Sequence, residues 1–253
     1  MNVLFIHGNG GSPARFEALS AHIGRLRPRW RIVVAELSGF GGKELPKAEH
    51  YWNVWLADLF RAVEGRTQEP WCIFAQGAGC ALVLELSARG WEFPNGYFLR
   101  PRKTILYGGA GVAGERNWLY GVFHWPPAAR MLQRVLSMGF LRKMWAKRFL
   151  SEKTAQEDAI VGRFFLDVKE CQAFTLPFEL ISRTWYAETR AAAWHQRFLM
   201  VWGGQDRLSR SQSAARWKKD FPKSEFQVVE QWGHFPMLDD PEGLAAFLVE
   251  QIG

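Results

Sequence analysis

The sequence has few cysteines and no signature of a metal or nucleotide site. Three cysteines occur, Cys72, Cys80 and Cys171, each in an apolar context typical of a core strand or helix. Their odd number argues against a disulfide framework, so we expect a reducing compartment and assign the protein to the cytoplasm. Their spacing matches no metal-ligand pattern, and "GNGGSP" lacks the lysine and hydroxyl residue of a phosphate-binding loop. We therefore predict no metal and no cofactor.

Long apolar runs are also absent. No stretch approaches the roughly 20 residues needed to cross a bilayer, and the start "MNVLFIHGNGG" is too short and lacks the basic residues of a signal peptide. We predict a soluble protein, with peripheral attachment to a membrane as the alternative. The net charge of +7 comes from basic residues interleaved with large apolar ones. We interpret most of this charge as solvated surface and predict no nucleic-acid partner.

The sequence does contain a regular alternation of short apolar strands and helical stretches. The predicted strands are "NVLFIHG", "WRIVVAEL", "EPWCIFAQ", "KTILYGG", "QRFLMVWGGQD" and "SEFQVVEQWGH". This alternation is typical of an α/β fold, a mostly parallel sheet with helices on both faces. At 253 residues with 48% hydrophobic content, the chain fits a single domain, residues 1–253.

The segment 117–194 differs in character from the rest of the chain. It is rich in Trp, Phe, Arg and Lys and shows no strand alternation, so we predict a helical cap inserted into a core of residues 1–116 and 195–253. Several tryptophans in or near it fit a bulky hydrophobic ligand, and ordinary packing explains them nearly as well: Trp118, Trp125, Trp145, Trp185 and Trp194. The predicted ligand is a small hydrophobic molecule.

One stretch of this segment, "ARMLQRVLSMGFLRKMWAKRFL", combines apolar and basic residues. Its apolar residues at helical spacing are Met131, Val135, Met138, Trp145 and Phe149. Its basic residues are Arg130, Arg134, Arg142, Lys143, Lys147 and Arg148. We favour a lid helix whose apolar side packs on the domain, because such stripes usually belong to a core. The alternative is a lid that contacts an anionic membrane surface or a partner protein, or that admits a long apolar substrate.

Another stretch, "CIFAQGAGCAL" from Cys72 to Leu82, predicts the end of a buried strand, a sharp turn of small residues and the start of a helix. Three further stretches accompany it: "HGNGG" after the first strand, "AELSGFGG" after the second, and "GGQD" followed by "GH" near the end. In this order, the four stretches resemble the α/β-hydrolase superfamily over nearly the whole chain.

The resemblance implies a catalytic triad in which one member is missing. The nucleophile position of the family corresponds to Gly77, the acid to Asp206 and the base to His234, in the family's chain order. We expect a hydrogen bond between His234 and Asp206. Because glycine has no hydroxyl, covalent acyl transfer is excluded. Cys80 is a poor substitute, since it lies about one helical turn further on and a buried cysteine is usually inert.

The resemblance also implies binding residues around that position. In the family, backbone amides of the first loop and of the residue after the nucleophile form the oxyanion hole. These correspond to Asn9 and Ala78, with Gly10 as the alternative to Asn9. Gln76 and Phe235 flank the nucleophile and base positions and are predicted to contact the substrate.

Three functions are compatible with these residues. The first is an enzyme in which His234 and Asp206 act as a general base on a bulky hydrophobic carbonyl or ester-type compound, without an acyl-enzyme. The second is a non-catalytic binding or assembly factor that uses the pocket or the basic lid. The third is an ordinary serine hydrolase whose position 77 has been altered. The fold alone does not choose between them.

Overall fold

A six-stranded parallel sheet forms the centre of the computed structural model, which describes residues 1–66, 69–109, 122, 124–209 and 212–253. The strands are β1 (Asn2–Ile6), β2 (Arg31–Val34), β3 (Trp71–Gln76), β4 (Pro101–Tyr107), β5 (Leu199–Gly203) and β6 (Glu225–Val229). Their order across the sheet is β2-β1-β3-β4-β5-β6, and every neighbouring pair is parallel. All six predicted strands are therefore confirmed.

Burial along the strands follows their place in the sheet. Every residue of β1, β3 and β5 is buried, whereas the edge strands β2 and β6 are partly exposed. A central parallel strand is covered by helices on both faces, so its sequence is a continuous apolar run and does not alternate. This explains why "NVLFI" and "WCIFA" contain almost no polar residue.

The helices that follow the strands pack along the sheet. Outside the stretch between β4 and β5 they are α1 (Glu17–Leu26), α2 (Tyr51–Val63), α3 (Gly79–Ala88), α9 (Gln212–Asp220), α10 (Pro236–Asp239) and α11 (Pro241–Ile252). Helix α1 packs against α11, and α2 packs against α3. The predicted α/β fold class is confirmed. No helix in the described part of the chain is long and apolar enough to span a membrane.

A run of helices lies between β4 and β5, within the predicted cap. These are α4 (Pro126–Leu136), α5 (Arg142–Phe149), α6 (Asp158–Glu170), α7 (Leu176–Leu180) and α8 (Arg183–Ala193), and we call them the helical segment. Both α4 and α5 pack against α6, while α8 packs against α3 of the sheet layer. The start of the predicted cap, including Trp118, lies outside the described residues.

The single lid helix predicted for this segment is wrong, because two helices take its place. Helix α4 ends at Leu136 and a short 3-10 turn at Gly139–Leu141 precedes α5. The Ser137 hydroxyl donates to the Gln133 carbonyl, and Met138 adopts an extended conformation ahead of a glycine, which is a poor helix former. Met138 is consequently exposed on the turn instead of continuing an apolar stripe.

The sheet brings several loops to one edge. Because all strands run in the same direction, the turns after β1, β3, β4, β5 and β6 meet at their carboxyl ends. The residues predicted for the site, from Asn9 to Phe235, lie in these turns, except Gln76, which is the last residue of β3. The topology thus assembles residues that are far apart in sequence.

Helix α3 approaches β1 closely at Gly79. A Cβ atom at this position would lie 2.7 Å from the His7 carbonyl oxygen and 2.9 Å from that of Ile6. Both contacts are with backbone, which does not move aside easily. By contrast, Gly24 in α1 has no atom within 4 Å of the position that its Cβ would take.

We expect these two glycines to respond in opposite directions to alanine. Gly79→Ala should lower the free energy of unfolding by about 1–3 kcal/mol, because the methyl group overlaps backbone carbonyls. Gly24→Ala should raise it by about 0.5–1 kcal/mol, because alanine is the better helix former and meets open space. Urea unfolding monitored by circular dichroism measures both values, and a shift in the same direction for both variants would contradict the close approach.

Candidate active site

The turn between β3 and α3 places Gly77 at the carboxyl end of the sheet. Its φ of +56° lies in the left-handed region, which glycine adopts without a steric cost. The Gly77 amide donates to the Tyr107 carbonyl over 3.0 Å, and the Cys80 amide donates to the Gly77 carbonyl over 3.1 Å. Both backbone groups of Gly77 are therefore held, which fixes the direction in which a side chain at this position would point.

That direction leads to the imidazole of His234. A Cβ atom on Gly77 would lie 3.5 Å from His234 Nε2 and 3.7 Å from Gly8 Cα. Apart from the residues next to Gly77 in sequence, no other described residue has an atom within 4 Å of it. A hydroxyl oxygen one bond beyond that Cβ can reach hydrogen-bonding distance of Nε2. The position therefore has room for a small group beside the imidazole.

His234 and Asp206 form the hydrogen bond expected from the sequence. Nδ1 of His234 lies 2.7 Å from Oδ2 of Asp206, and both side chains are buried. The other carboxylate oxygen, Oδ1, accepts hydrogen bonds from the amides of Leu208 and Ser209, each over 2.8 Å. With the carboxylate as acceptor at Nδ1, the neutral imidazole carries its proton there, which leaves the Nε2 lone pair facing Gly77.

Two residues at the end of β4 support this pair and were missed from the sequence. Gly108 has a φ of +54°, and a Cβ atom there would lie 3.3 Å from both Asp206 Oδ2 and His234 Nδ1. The Tyr107 hydroxyl donates to the Gly233 carbonyl, just before the histidine. Burial raises the pKa of Tyr107, with the Asp206 charge adding to the effect, so the hydroxyl remains a donor. The sequence sign of these two residues is "YGG" at the end of a predicted strand. An ordinary turn also explains these glycines, so the motif does not indicate a site.

The amides assigned to the oxyanion hole differ in their contacts. Among the described residues, no backbone acceptor contacts the N–H of Asn9 or of Ala78. The Gly10 amide, the alternative donor, lies near the Cys171 sulfur and opposes the rise in the pKa of that thiol that burial causes. The Asn9 side chain donates to the Phe174 carbonyl over 2.9 Å, which ties the first loop to the helical segment.

Gln76 and Phe235, predicted to contact substrate, are both buried. The Gln76 side-chain amide donates to the His234 carbonyl over 3.2 Å and lies beside Gly8. The Phe235 ring meets the His234 imidazole edge to face, with 4.8 Å between centroids, and the Phe164 ring at 5.0 Å. These contacts hold the histidine loop in place from two sides.

A buried ion pair lies under the first loop. Arg15 donates to the Gly10 carbonyl, and its Nε lies 3.5 Å from Asp167 Oδ2 on α6. The same carboxylate accepts from the Ser12 hydroxyl over 2.8 Å and from Arg163 over 2.9 Å. Burial lowers the pKa of Arg15 to about 10, although the Asp167 charge opposes the shift, so the guanidinium remains charged at neutral pH. An unpaired charge here would be costly, so the network couples the first loop to the helical segment.

The cysteines are packed as core residues. The Cys80 thiol donates to the carbonyls of Ala75 and Tyr107, and burial raises its pKa. Burial also raises the pKa of Cys171 to about 12. Neither thiol forms a thiolate near neutral pH, so Cys80 does not replace the missing nucleophile.

Outside this arrangement, neither metal-ligating groups nor the cavity found among the described residues indicates a particular ligand. No group of three His, Cys, Asp or Glu side chains among them is placed to hold a metal ion. A cavity of about 480 Å³ beside α1 and α6 is lined by charges of both signs, among them Arg15, Lys153, Arg163, Glu17 and Glu157. Its lining includes neither Gly77 nor His234, and its mixed charge selects no ligand class.

Comparison with known proteins identifies a family model that covers almost the whole chain. The model is described as the alpha/beta hydrolase family and matches residues 3–247. No curated protein is significantly similar to the chain in sequence.

Solved hydrolase structures are similar to this chain in fold. A thermophilic esterase from Thermogutta terrifontis, with malate bound, has a TM-score of 0.70 at 15% identity, over 100% of this chain and 89% of that chain. An esterase from Rhodococcus sp. ECU1013 has a TM-score of 0.67 at 16% identity, over 100% and 90%. A 2-hydroxy-6-oxo-6-phenylhexa-2,4-dienoate hydrolase from Rhodococcus sp. strain RHA1 has a TM-score of 0.69 at 16% identity, over 98% and 89%. At such identities the likeness establishes the shared fold alone.

A buried histidine supports the first loop. The Nδ1 atom of His7 lies 3.0 Å from the Gly8 carbonyl oxygen, so it carries the proton and donates, and the ring packs edge to face on Phe40. Burial is the main cause that lowers the pKa of His7 to about 4; the Gly8 hydrogen bond opposes this shift and the Arg15 charge adds to it. The imidazole is therefore neutral under the loop at physiological pH.

We expect this histidine to make stability depend on pH. In the unfolded chain His7 takes up a proton near pH 6.5, whereas in the folded protein it stays neutral down to about pH 4. The unfolded state then binds more protons, so the free energy of unfolding should fall by about 3 kcal/mol as the pH drops from 6.5 to 4. Urea unfolding of the wild type and of His7→Asn, which keeps a donor near Nδ1, should show a shallower decline for the variant. Equal pH dependence of the two proteins would contradict the assignment.

Proposed function

Because the chain belongs to the alpha/beta hydrolase family, we propose that it performs hydrolase-type chemistry without a covalent intermediate. In this proposal His234 and Asp206 act as a general base on a bulky hydrophobic carbonyl or ester-type compound. The observation that carries the proposal is the space that Gly77, having no side chain, leaves among the described residues beside His234 Nε2, whose ring is paired with Asp206 through Nδ1. A water molecule beside Nε2 would replace the serine hydroxyl as nucleophile.

The proposed reaction uses the Nε2 lone pair of the histidine. His234 Nε2 accepts a proton from the water as the water oxygen bonds to the carbonyl carbon, and the carbonyl π electrons move to the oxygen. Asp206 stabilises the imidazolium that forms. When the tetrahedral intermediate collapses, the bond to the leaving oxygen breaks and His234 returns the proton to it. The products are a carboxylic acid and an alcohol.

Backbone amides near Gly77 are suited to the negative charge that develops. In the proposal, the N–H groups of Asn9 and Ala78 donate to the oxyanion, with the Gly10 amide as the alternative to Asn9. Gln76 and Phe235 act as positioning residues, because their contacts are with the His234 loop. The ion pair between Arg15 and Asp167 holds the first loop in the same way.

The substrate class is inferred from the helical segment that follows β4. We propose that this segment acts as the cap over the carboxyl end of the sheet. Aromatic side chains of this segment lie against the loops of the candidate site, with Phe164 on Phe235 and Phe174 beside Gly10. Aromatic walls favour an apolar substrate over a charged one.

Introducing serine at position 77 tests the proposed arrangement. Gly77→Ser should produce a burst of p-nitrophenol from p-nitrophenyl esters and raise kcat/KM at least about 100-fold, because the hydroxyl reaches His234 Nε2. Gly77→Ala is the matched control, since it adds the same Cβ without the oxygen and should show no burst. Both variants should lose about 1–2 kcal/mol of stability, because a side chain at this positive φ is strained.

The two variants also separate catalysis from a purely binding role. If Gly77→Ser is folded and silent toward esters of every chain length tested, the oxyanion donors and the histidine are not arranged for acyl transfer. The hydrolase proposal would then be abandoned in favour of a binding or assembly factor.

Removal of the histidine tests the native reaction directly. His234→Ala should lower ester hydrolysis by the unaltered Gly77 protein about 10²–10⁴-fold, because the general base is lost. His195→Ala is the control, since that imidazole is exposed on the surface, and it should hydrolyse as the wild type does. Turnover that survives His234→Ala would place the activity elsewhere in the preparation or the protein.

A further inference from the structure

The helical segment contains a long stretch without negative charge. No Asp or Glu occurs between Glu115 and Glu152. Six cations lie in the described part of that stretch: Arg130, Arg134, Arg142, Lys143, Lys147 and Arg148. Among the described residues, none of these six forms an ion pair with a carboxylate. Apart from Arg142, whose Nε is buried, these cations are exposed, so their charge is available to an external partner.

The end of this stretch presents one face to solvent. From the 3-10 turn through α5, the exposed residues other than Gly139 are Phe140, Lys143, Met144, Lys147 and Arg148, which we call the outward stripe. Their spacing of three and four residues places them along one side of the helical turns. Three cations and two apolar side chains thus share a single face.

The opposite face of α5 accounts for its packing. Ala146 is fully buried, and Trp145 stacks on Phe149 with 5.7 Å between centroids. Phe149 in turn contacts Phe164 of α6. Because these residues attach α5 to the domain, the outward stripe is not required for folding.

The apolar members of the outward stripe are unusually exposed. Phe140 is 83% exposed and Met144 is 54% exposed, and Met138 just before them is 40% exposed. A single exposed apolar residue is common on a protein surface, but a group of them surrounded by cations marks an interaction site. The neighbouring α4 adds Met131, which is 60% exposed between Arg130 and Arg134.

We propose that the outward stripe docks on the surface of an anionic phospholipid bilayer. Phe140 and Met144 enter the region between headgroups and acyl chains, while Lys143, Lys147 and Arg148 contact the lipid phosphates and carboxylates. A nucleic-acid duplex bound through its phosphates would engage the cations and leave Phe140 and Met144 in water. The proposal does not depend on catalysis at His234, so it goes beyond the proposed function.

Vesicle flotation of the full chain tests the docking. The protein should float with vesicles of phosphatidylcholine and phosphatidylserine and should stay unbound with phosphatidylcholine alone. Raising the salt concentration should weaken the binding, because it screens the attraction between the cations and the lipid headgroups.

Three sets of substitutions separate the contributions. Lys143→Gln, Lys147→Gln and Arg148→Gln together should weaken binding roughly 100-fold, at about fivefold for each cation near an anionic surface. Lys218→Gln, Lys219→Gln and Lys223→Gln remove the same charge from exposed positions near α9 and should leave binding unchanged. Phe140→Ser with Met144→Ser should weaken vesicle binding at least about tenfold, because insertion is lost while the cations remain.

Several results would overturn the proposal. The first is that the wild type does not bind phosphatidylserine vesicles. The second is that the two triple glutamine variants lose vesicle binding equally, which would indicate an effect of net charge alone. The third outcome combines two results. The protein binds a DNA duplex through the same cations, and the double variant Phe140→Ser with Met144→Ser binds both the duplex and the vesicles as well as the wild type does. Melting curves monitored by circular dichroism confirm that each variant is folded.

Discussion

The hydrogen bond between His234 and Asp206 depends on how closely three strand ends can approach one another. Glycines make this approach possible, because a Cβ atom at Gly108 would lie 3.3 Å from both partners and one at Gly77 would point at the imidazole. Two backbone amides hold the Asp206 carboxylate, so its position does not depend on the contact with the histidine. The rest of the candidate site is arranged around this buried pair, with the Tyr107 hydroxyl and Gln76 bracing the loop that carries the histidine.

Glycine at position 77 keeps the turn and adds no side chain beside the imidazole of His234. The left-handed backbone there suits glycine, whereas a serine would be strained, and the buried pair of His234 and Asp206 lies beside it. A second buried network, from Arg15 to Asp167, joins the first loop to the helical segment. The geometry of the first-loop amides near Gly77 therefore depends on α6. Asp167 on that helix accepts a hydrogen bond from Ser12, which lies 155 residues earlier in the sequence.

Helix α5 has two faces with different physical requirements. Its inward face packs aromatic rings against α6, which satisfies the fold. Its outward stripe combines exposed apolar side chains with cations. Exposure of the apolar side chains to water is unfavourable, whereas an anionic lipid surface would favour both kinds of side chain. The predicted lid helix did not distinguish these two faces. It placed Met138 on the inward apolar side, whereas the break in the helix near this residue exposes it.

The sequence alone determined the order of strands and helices, since continuous apolar runs and small-residue turns are local signals, and it identified Gly77, Asp206 and His234 through the order of four short stretches. It did not reveal Gly108, Tyr107 or Arg15, because "YGG" and a lone arginine carry no local mark of what lies beside them in space. It also suggested substrate contacts for Gln76 and Phe235, whose side chains are buried against the histidine loop. Only the tertiary structure decided these contacts, because burial, close approach and pairing of charges depend on which distant strands and helices meet.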